Sequence, residues 1–279
     1  MRLSLKLLLT GIIVFWNVEN FFDYRQPSTI SEKNWTAGRF YAKARGIGKV
    51  ILSLADSAGT PPKIVGLAEI DSPATLKAIV GSSVLYPFRY RYVHFESPDP
   101  RGIDCALLYR DCMPTETRSI PLTLDGQVLP TRSLLLVRFE DLTVLVCHLP
   151  SKRGSSAMAQ RRRDRAMEMM DSIAAQCPGR LLVMGDFNEE RSPDDTLRHL
   201  MEVTTPQKTG SIRFQGRWEK IDRCLANDTS GLRMRIADLD MLSVRDTRYG
   251  GTKPLRTYSG PRYLGGLSDH YPIVITLSQ

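Results

Sequence analysis

Several apolar segments of this sequence end at a polar residue, and this pattern restricts the fold more than any other feature. The segments are residues 12–16 before Asn17, 64–68 before Glu69, 144–147 before His148, and 181–184 before Gly185-Asp186-Phe187-Asn188. An Asp269-His270 pair directly precedes a further apolar segment. Burial of an ionisable group is costly unless the group is paired or bound to a metal. We therefore expect these strand ends to meet at one edge of a sheet and to form a polar cleft.

The remaining periodicity predicts many strands and few helices. Helices are expected at residues 40–57, 76–80 and 157–173, strands at 88–95, 105–110, 133–139, 142–149, 221–226 and 273–277, and a long loop at 249–266. This pattern favours layered sheets covered by helices. The 279 residues, of which 42% are hydrophobic, are enough for a large core. Since the polar motifs extend from Asn17 to His270, we expect one domain over residues 1–279.

The five cysteines are odd in number and form no CxxC pair. Cys105, Cys147 and Cys224 lie within apolar segments, which predicts small buried side chains and neither a disulfide framework nor a zinc site.

The first sixteen residues resemble an export signal only superficially. Arg2 and Lys6 precede an apolar segment that is shorter than the roughly 20 residues needed to cross a bilayer, and no A-x-A-like cleavage site follows it. A buried first strand, a cytoplasmic location and no membrane insertion are expected. A secreted or periplasmic location stays open if the segment is a truncated export signal.

The residue types at the strand ends indicate chemistry with a hard divalent cation. Carboxylate and amide oxygens suit Mg²⁺ or Mn²⁺ better than zinc. His148 and His270 can carry protons near neutral pH. In phosphoester hydrolysis a metal neutralises phosphate charge while a base activates water. The candidate oxygen donors are Glu69, Asp186, Asp269, Asn17 and Asn188.

The charge balance is compatible with an anionic partner and also with a basic surface that serves solubility alone. There are 38 Lys and Arg against 30 Asp and Glu, which gives a net charge of +8. Arg101 lies in a predicted turn, where it either contacts phosphate or is a solvated turn residue. Arg262, with Arg256, Tyr258 and Tyr263, either contacts a nucleic-acid backbone and its bases or belongs to ordinary packing.

Taken in order along the chain, these motifs resemble those of the endonuclease/exonuclease/phosphatase superfamily. They are Trp16-Asn17-Val18-Glu19-Asn20, Gly66-Leu67-Ala68-Glu69, Cys147-His148-Leu149-Pro150-Ser151, Gly185-Asp186-Phe187-Asn188, Ile221-Asp222 and Ser268-Asp269-His270. Residues 101–110 and 260–266 further resemble a bacterial branch of it. The resemblance implies a deoxyribonuclease I-like fold, which is a four-layered α/β sandwich of two packed, mainly antiparallel sheets flanked by helices.

The resemblance also implies a role for each motif residue. Glu69 is the expected main metal ligand, helped by Asn17 and Asp269. Asp186 is expected to orient or deprotonate the attacking water, and Asn188 to donate to the phosphate oxygens.

Two histidines complete the expected site. His270 is similar to the acid/base or phosphate-contacting histidine of the superfamily, with Asp222 holding its ring. His148 is similar to a second histidine beside the scissile phosphate. Abasic-site endonucleases of this superfamily generally lack it, so a dedicated base-excision enzyme is not expected.

The sequence therefore predicts a monomeric, divalent-metal phosphoesterase, with a nuclease as the first hypothesis. A phosphatase or phosphodiesterase for small sugar or lipid phosphoesters is the alternative, and an inactive polyanion-binding module on the same fold is a remote one. A serine hydrolase is excluded, because Ser268, Asp269 and His270 are adjacent and no G-x-S-x-G motif exists.

Overall fold

Two six-stranded sheets pack face to face through a shared apolar core within the described part of the chain. The structure is a computed structural model and describes residues 11–25, 35–151, 156–190 and 197–277. In chain order the sheet strands are β1 (Ile13–Phe21), β2 (Ile64–Ile70), β3 (Arg91–His94), β4 (Asp104–Tyr109), β5 (Glu116–Ile120), β6 (Leu134–Arg138), β7 (Leu142–His148), β8 (Arg180–Asp186), β9 (Met201–Glu202), β10 (Asp222–Ala226), β11 (Leu232–Ile236) and β12 (Ile273–Leu277).

Each sheet is antiparallel except for one central parallel pair. The first sheet has the order β11-β12-β1-β2-β4-β3, and β1 and β2 run parallel. The second has the order β9-β10-β8-β7-β6-β5, and β7 and β8 run parallel. The carboxyl ends of a parallel pair lie at the same edge of the sheet, so each pair brings two strand ends together.

Alternation along the central strands explains the layers. In β7, Val144 and Val146 join the core between the sheets, while Leu145 and Cys147 join a second core on the other face. Helix α3 (Ser156–Gln176) covers that second core with Ala166, Met170 and other side chains.

On the opposite side of the molecule, α1 (Ala37–Ser53) and α2 (Pro73–Val80) cover the first sheet. Phe40, Ala44 and Ile47 form the buried face of α1, at the spacing of an amphipathic helix. The four layers are those of the deoxyribonuclease I-like sandwich. No helix among the described residues combines the length and apolarity needed to cross a membrane.

The prediction of a loop at residues 249–266 is wrong. It contains strands Thr252–Pro254, Tyr258–Ser259 and Arg262–Tyr263, which belong to short hairpins. Glycine and proline at the turns hide strands of two or three residues from a periodicity argument. Further hairpin strands are Thr123–Leu124 with Gln127–Val128, Ile212–Phe214 with Arg217–Glu219, and Ser243–Arg245 before Thr252–Pro254.

Two further predictions, for the cysteines and for the first strand, are confirmed. Cys105, Cys147 and Cys224 are buried free thiols. The apolar segment before Asn17 forms a buried strand, whereas the export-signal hypothesis rests on residues 1–10, which lie outside the described residues.

Candidate active site

The ends of β1 and β2 carry Asn17 and Glu69 and depart from regular pairing. The strands are in register as far as Asn17 opposite Ala68, and pairing resumes at Phe21 opposite Ile70. Glu69 lies within this interruption and has a left-handed backbone with φ of 66°. A bulge redirects the side chain that it carries. Here it presents the Glu69 carboxylate to the other strand ends.

Backbone N–H groups of the β1 bulge hold both side chains. The N–H of Asn20 donates to Glu69 Oε2 at 2.6 Å, and the N–H of Glu19 donates to Asn17 Oδ1 at 3.0 Å. Glu19 and Asn20 also have left-handed backbones, with φ of 50° and 44°. Such conformations of non-glycine residues cost about 1–3 kcal/mol each and concentrate at functional sites.

The second sheet contributes a regular row of three side chains. Asp186 at the end of β8 pairs with His148 of β7 on one side and with Asp222 of β10 on the other. Directly opposite residues of neighbouring strands project to the same face. All three side chains are buried, and His148 Nε2 lies 3.5 Å from Asp186 Oδ2.

The two sets of strand ends meet at Asp186. Asn17 Nδ2 donates to Asp186 Oδ2 at 3.0 Å and lies 3.4 Å from Glu69 Oε1. His148 Nε2 lies 3.9 Å from Glu69 Oε1. The structure therefore brings together four residues that are far apart in the sequence.

His270 joins this cluster from the turn before β12. Its Nδ1 lies 2.7 Å from Asp222 Oδ2, and its Nε2 lies 3.9 Å from both Asp186 Oδ2 and Asp269 Oδ1. Ser268 fixes the turn, because its hydroxyl donates to the Asn17 carbonyl at 2.6 Å and accepts the His270 N–H at 2.9 Å.

Burial and neighbouring charges shift the pKa values of Asp186, His270 and His148 in different directions. Burial and the charge of Asp222 raise the pKa of Asp186 to about 7, against the opposing charge of His270. Burial alone would lower the pKa of His270, but the carboxylates of Asp222 and Asp186 outweigh it and raise that pKa well above its ordinary value. Burial lowers the pKa of His148 well below its ordinary value, and the charge of Arg132 adds to that effect. These opposite shifts favour the cationic form of His270 and the neutral form of His148.

Asn188 lies beside Asp186 with its amide directed at the backbone. Its N–H donates to Asp186 Oδ1 at 2.9 Å, and its Nδ2 donates to the Leu149 carbonyl at 2.8 Å. An amide nitrogen carries two protons, and the second proton of Asn188 Nδ2 has no partner among the described residues, so it can serve a substrate oxygen.

A charge network behind the β1 bulge, buried at Lys43 and Glu19 and half exposed at Arg256, does not follow from the sequence. Lys43 Nζ donates to the Glu19 carbonyl and to Thr257 Oγ1. Arg256 bridges Glu19 Oε1 at 3.2 Å and Asp269 Oδ2 at 2.8 Å. The sequence did carry a signal for Lys43, since it lies on the apolar face of α1. Arg256 is engaged with these carboxylates, whereas the sequence left a nucleic-acid contact and ordinary packing open as alternatives.

Arg132 is a second residue that the sequence did not indicate. Its Nε and Nη2 donate to the carbonyls of His148 and Leu149 at 3.2 and 2.7 Å, and its Nη1 lies 2.9 Å from Asp99 Oδ2. It precedes an ordinary apolar strand, so nothing in the local sequence marks it.

The remaining candidates lie at the margin. Arg101 is one-third exposed, with its Nε 3.6 Å from Asp99 Oδ1. Arg262 is exposed in a short hairpin. Tyr258 is buried and packs against Tyr263 with ring centroids 5.3 Å apart, as expected for ordinary packing.

The donors at the bulged strand ends fit a hard divalent cation. Glu69 offers a partly exposed carboxylate that a backbone N–H fixes, and Asn17 Oδ1 keeps a second lone pair. Mg²⁺ is commonly bound by one or two carboxylates together with waters and substrate phosphate. Asp186, Asp222 and His270 also offer ligand atoms within 4.8 Å of one another.

Comparison with known proteins agrees with this architecture. Residues 12–279 match the family model described as the Endonuclease/Exonuclease/phosphatase family. No curated protein matches the sequence.

Solved structures of similar fold include SmcL, at 14% identity and a TM-score of 0.67, with 96% of this chain and 99% of that chain covered. The human Nocturnin catalytic domain with bound sulfate has 15% identity and a TM-score of 0.59, with 98% and 96% covered. D. rerio TDP2 complexed with a single-strand DNA product has 17% identity and a TM-score of 0.60, with 97% and 99% covered. At these identities the likeness concerns the fold alone.

Proposed function

Since this chain belongs to the endonuclease/exonuclease/phosphatase family, we propose that it is a Mg²⁺-dependent phosphodiesterase that hydrolyses nucleic acid. The observation that carries the proposal is the meeting of Asn17 and Glu69 with the His148-Asp186-Asp222 row and His270 in one cleft. Both sheets contribute to this cleft, which supports one domain over residues 1–279. Residues 101–110 and 260–266 support the bacterial branch.

Glu69, Asn17 and Asp269 would hold Mg²⁺ or Mn²⁺. The bound ion supplies Lewis-acid polarisation of the phosphate and neutralises its charge. Asn20 N–H keeps one oxygen of Glu69 in place, and Arg256 fixes the carboxylate of Asp269. This side of the cleft therefore determines where the phosphate lies.

Asp186 accepts a proton from the attacking water and aims the oxygen at phosphorus. Its raised pKa of about 7 gives a base matched to neutral solution. The new P–O bond forms opposite the leaving oxygen, and no covalent enzyme intermediate arises. Asn188 donates to a phosphate oxygen as negative charge grows on it.

His270 donates its Nε2 proton to the leaving oxygen as the old P–O bond breaks. Asp222 holds Nδ1 and keeps the ring cationic before the reaction. His148 is neutral and offers Nε2 to a second phosphate oxygen. Cationic and neutral histidines thus take different positions around one phosphate.

Two features support nucleic acid as the substrate. The chain has a net charge of +8, which favours polyanions. A protein of similar fold, D. rerio TDP2, is described in complex with a single-strand DNA product. We further propose that the chain acts as a monomer.

A substrate panel tests the proposal. Plasmid DNA, single-stranded DNA, RNA and small phosphoesters are incubated with the protein in Mg²⁺, Mn²⁺ or EDTA between about pH 6 and 9. We expect metal-dependent cleavage of nucleic acid. Turnover of inositol or sugar phosphates with intact nucleic acid would instead support the small-phosphoester enzyme, and binding of DNA without any turnover would support the inactive module.

A further inference from the structure

A basic pocket opens beside the His148 end of the cleft and has no part in the chemistry above. Arg101, Arg132 and Arg162 line it, and Asp99 is the one acidic residue among the described lining residues. Its volume of about 510 Å³ is in the range of ligand sites.

The pocket shares a wall with the candidate active site. Pro150, which lines the pocket, follows His148 and Leu149 directly in the chain. Arg132 bonds to the carbonyls of those two residues from the pocket side.

Two buried polar groups of the pocket have no hydrogen-bond partner in the described ranges. They are the hydroxyl of Thr131, a residue that is 4% exposed, and Nε of Arg162. Leaving such groups unpaired is costly, and in native proteins they commonly have a ligand or water as partner. A hydroxyl can turn its proton toward an acceptor placed in the pocket.

The charge of the pocket is positive. The Asp99 carboxylate is engaged with Arg132 at 2.9 Å and also lies 3.6 Å from Arg101 Nε. The described lining therefore holds three guanidinium groups and one carboxylate, which is engaged with two of them. Met158 and Ala159, in the first turn of α3, line the same space, so the positive end of a long helix dipole adds to the field.

We propose that this pocket binds a second phosphate of the substrate, adjacent to the scissile phosphate on the same nucleic-acid strand. This inference rests on the proposed nuclease function. Arg162 and Thr131 donate to the phosphate oxygens, and a guanidinium group matches phosphate geometry. The second phosphate then selects which diester of the strand reaches Asp186, so the pocket is a specificity site.

The binding test compares Arg162→Met with Arg161→Met. Arg161 is the matched control, because it is the preceding residue of α3 and pairs with Asp125 on the exposed surface. Binding of a fluorescein-labelled dT12 is measured by anisotropy in EDTA, where no hydrolysis takes place. We expect R162M to weaken binding about tenfold and to reduce the salt slope by about one. R161M should stay within about twofold of the wild type. Thr131→Val provides a second variant that retains side-chain volume, and circular dichroism verifies folding.

The activity test uses substrates with one or several phosphates. The p-nitrophenyl ester of thymidine 5′-phosphate has one phosphate, and R162M should hydrolyse it at the wild-type rate. On a DNA trinucleotide R162M should lose about tenfold in kcat/KM, and a methylphosphonate at the neighbouring linkage should remove the difference between the variants.

Equal behaviour of R162M and R161M on oligonucleotides would overturn the pocket proposal. The proposal would also be overturned if R162M lost as much kcat/KM on the one-phosphate ester as on the trinucleotide. The nuclease proposal fails separately, if the wild type cleaves the one-phosphate ester and no oligonucleotide. In that case the anisotropy comparison still decides whether the pocket binds phosphate.

Discussion

The two sheets build their parts of the cleft in different ways. In the first sheet, Asn17 and Glu69 lie where the β1–β2 register breaks, and Glu69 has a left-handed backbone. In the second sheet, the register continues without interruption through His148, Asp186 and Asp222. One side of the cleft is irregular and is held by backbone N–H groups; the other is an ordinary row across three strands.

This difference agrees with the division of roles between the two sides that we propose above. A cation needs oxygen atoms that converge from several directions, and a bulge turns side chains out of the pleated plane to provide them. Proton transfer needs groups in line at fixed separations, which adjacent strand positions provide without strain. We therefore assign metal binding to the irregular side and proton handling to the regular side.

The largest effect should follow a change in the regular row. Asp186→Ala removes the proposed base, and kcat on a phosphodiester should fall about 10³-fold, in the range of general base catalysis. KM should stay within about threefold, because the loss concerns the transition state. Steady-state kinetics measures both values.

Asp125→Ala is the matched control, since Asp125 is an exposed carboxylate paired with Arg161. If D186A raises KM as strongly as it lowers kcat, Asp186 contributes to substrate binding. That result would contradict the assignment of proton transfer alone to the regular side.

The hydrogen bonds that support the irregular side should contribute to the free energy of unfolding. Lys43→Met removes two hydrogen bonds from a buried ammonium group to Glu19 and Thr257, and the free energy of unfolding should fall by about 3 kcal/mol. Urea denaturation measures it, with Lys49→Met, an exposed lysine of the same helix, as the control. A loss no larger than that of K49M would show that the network does not stabilise the bulge.

The two histidines offer a finer test on the regular side. In the metal-free protein at pH 7, ring ¹⁵N shifts should show His270 cationic and His148 neutral, because the pKa of His270 is raised and that of His148 is lowered. The raised pKa means that His270 loses its proton only well above the ordinary range. Asp222→Asn should lower the pKa of His270, because the charge of Asp222 then no longer opposes the effect of burial. Two histidines that titrate together would contradict the assignment.

The regular side could largely be predicted from the sequence. Apolar strands ending at His148 and Asp186 are visible as patterns, and the parallel pairing of β7 and β8 then makes them neighbours. The irregular side shows a limit of such patterns. The sequence pattern places Asn17 and Glu69 at strand ends, but the bulge and the bonds from Glu19 and Asn20 depend on tertiary contacts.

The residues that support the site are the hardest to predict from the sequence. Arg132 contacts His148 and Leu149 through carbonyl groups, which every residue has, so no sequence motif is required. The strands near Arg262 are two residues long, too short for periodicity to detect. Side-chain bonds to backbone and very short strands both leave little trace in the order of residue types.

Metal binding by variants of the two sides tests the division of roles most directly. Free Mn²⁺ is measured by electron paramagnetic resonance while it is titrated into the wild type, Glu69→Gln and Asp186→Asn, without substrate. E69Q should weaken Mn²⁺ binding at least about tenfold more than D186N does, because Glu69 is a proposed ligand, whereas Asp186 is not one and accepts the amide of Asn17. The reverse order, with D186N losing the ion and E69Q retaining it, would contradict the account.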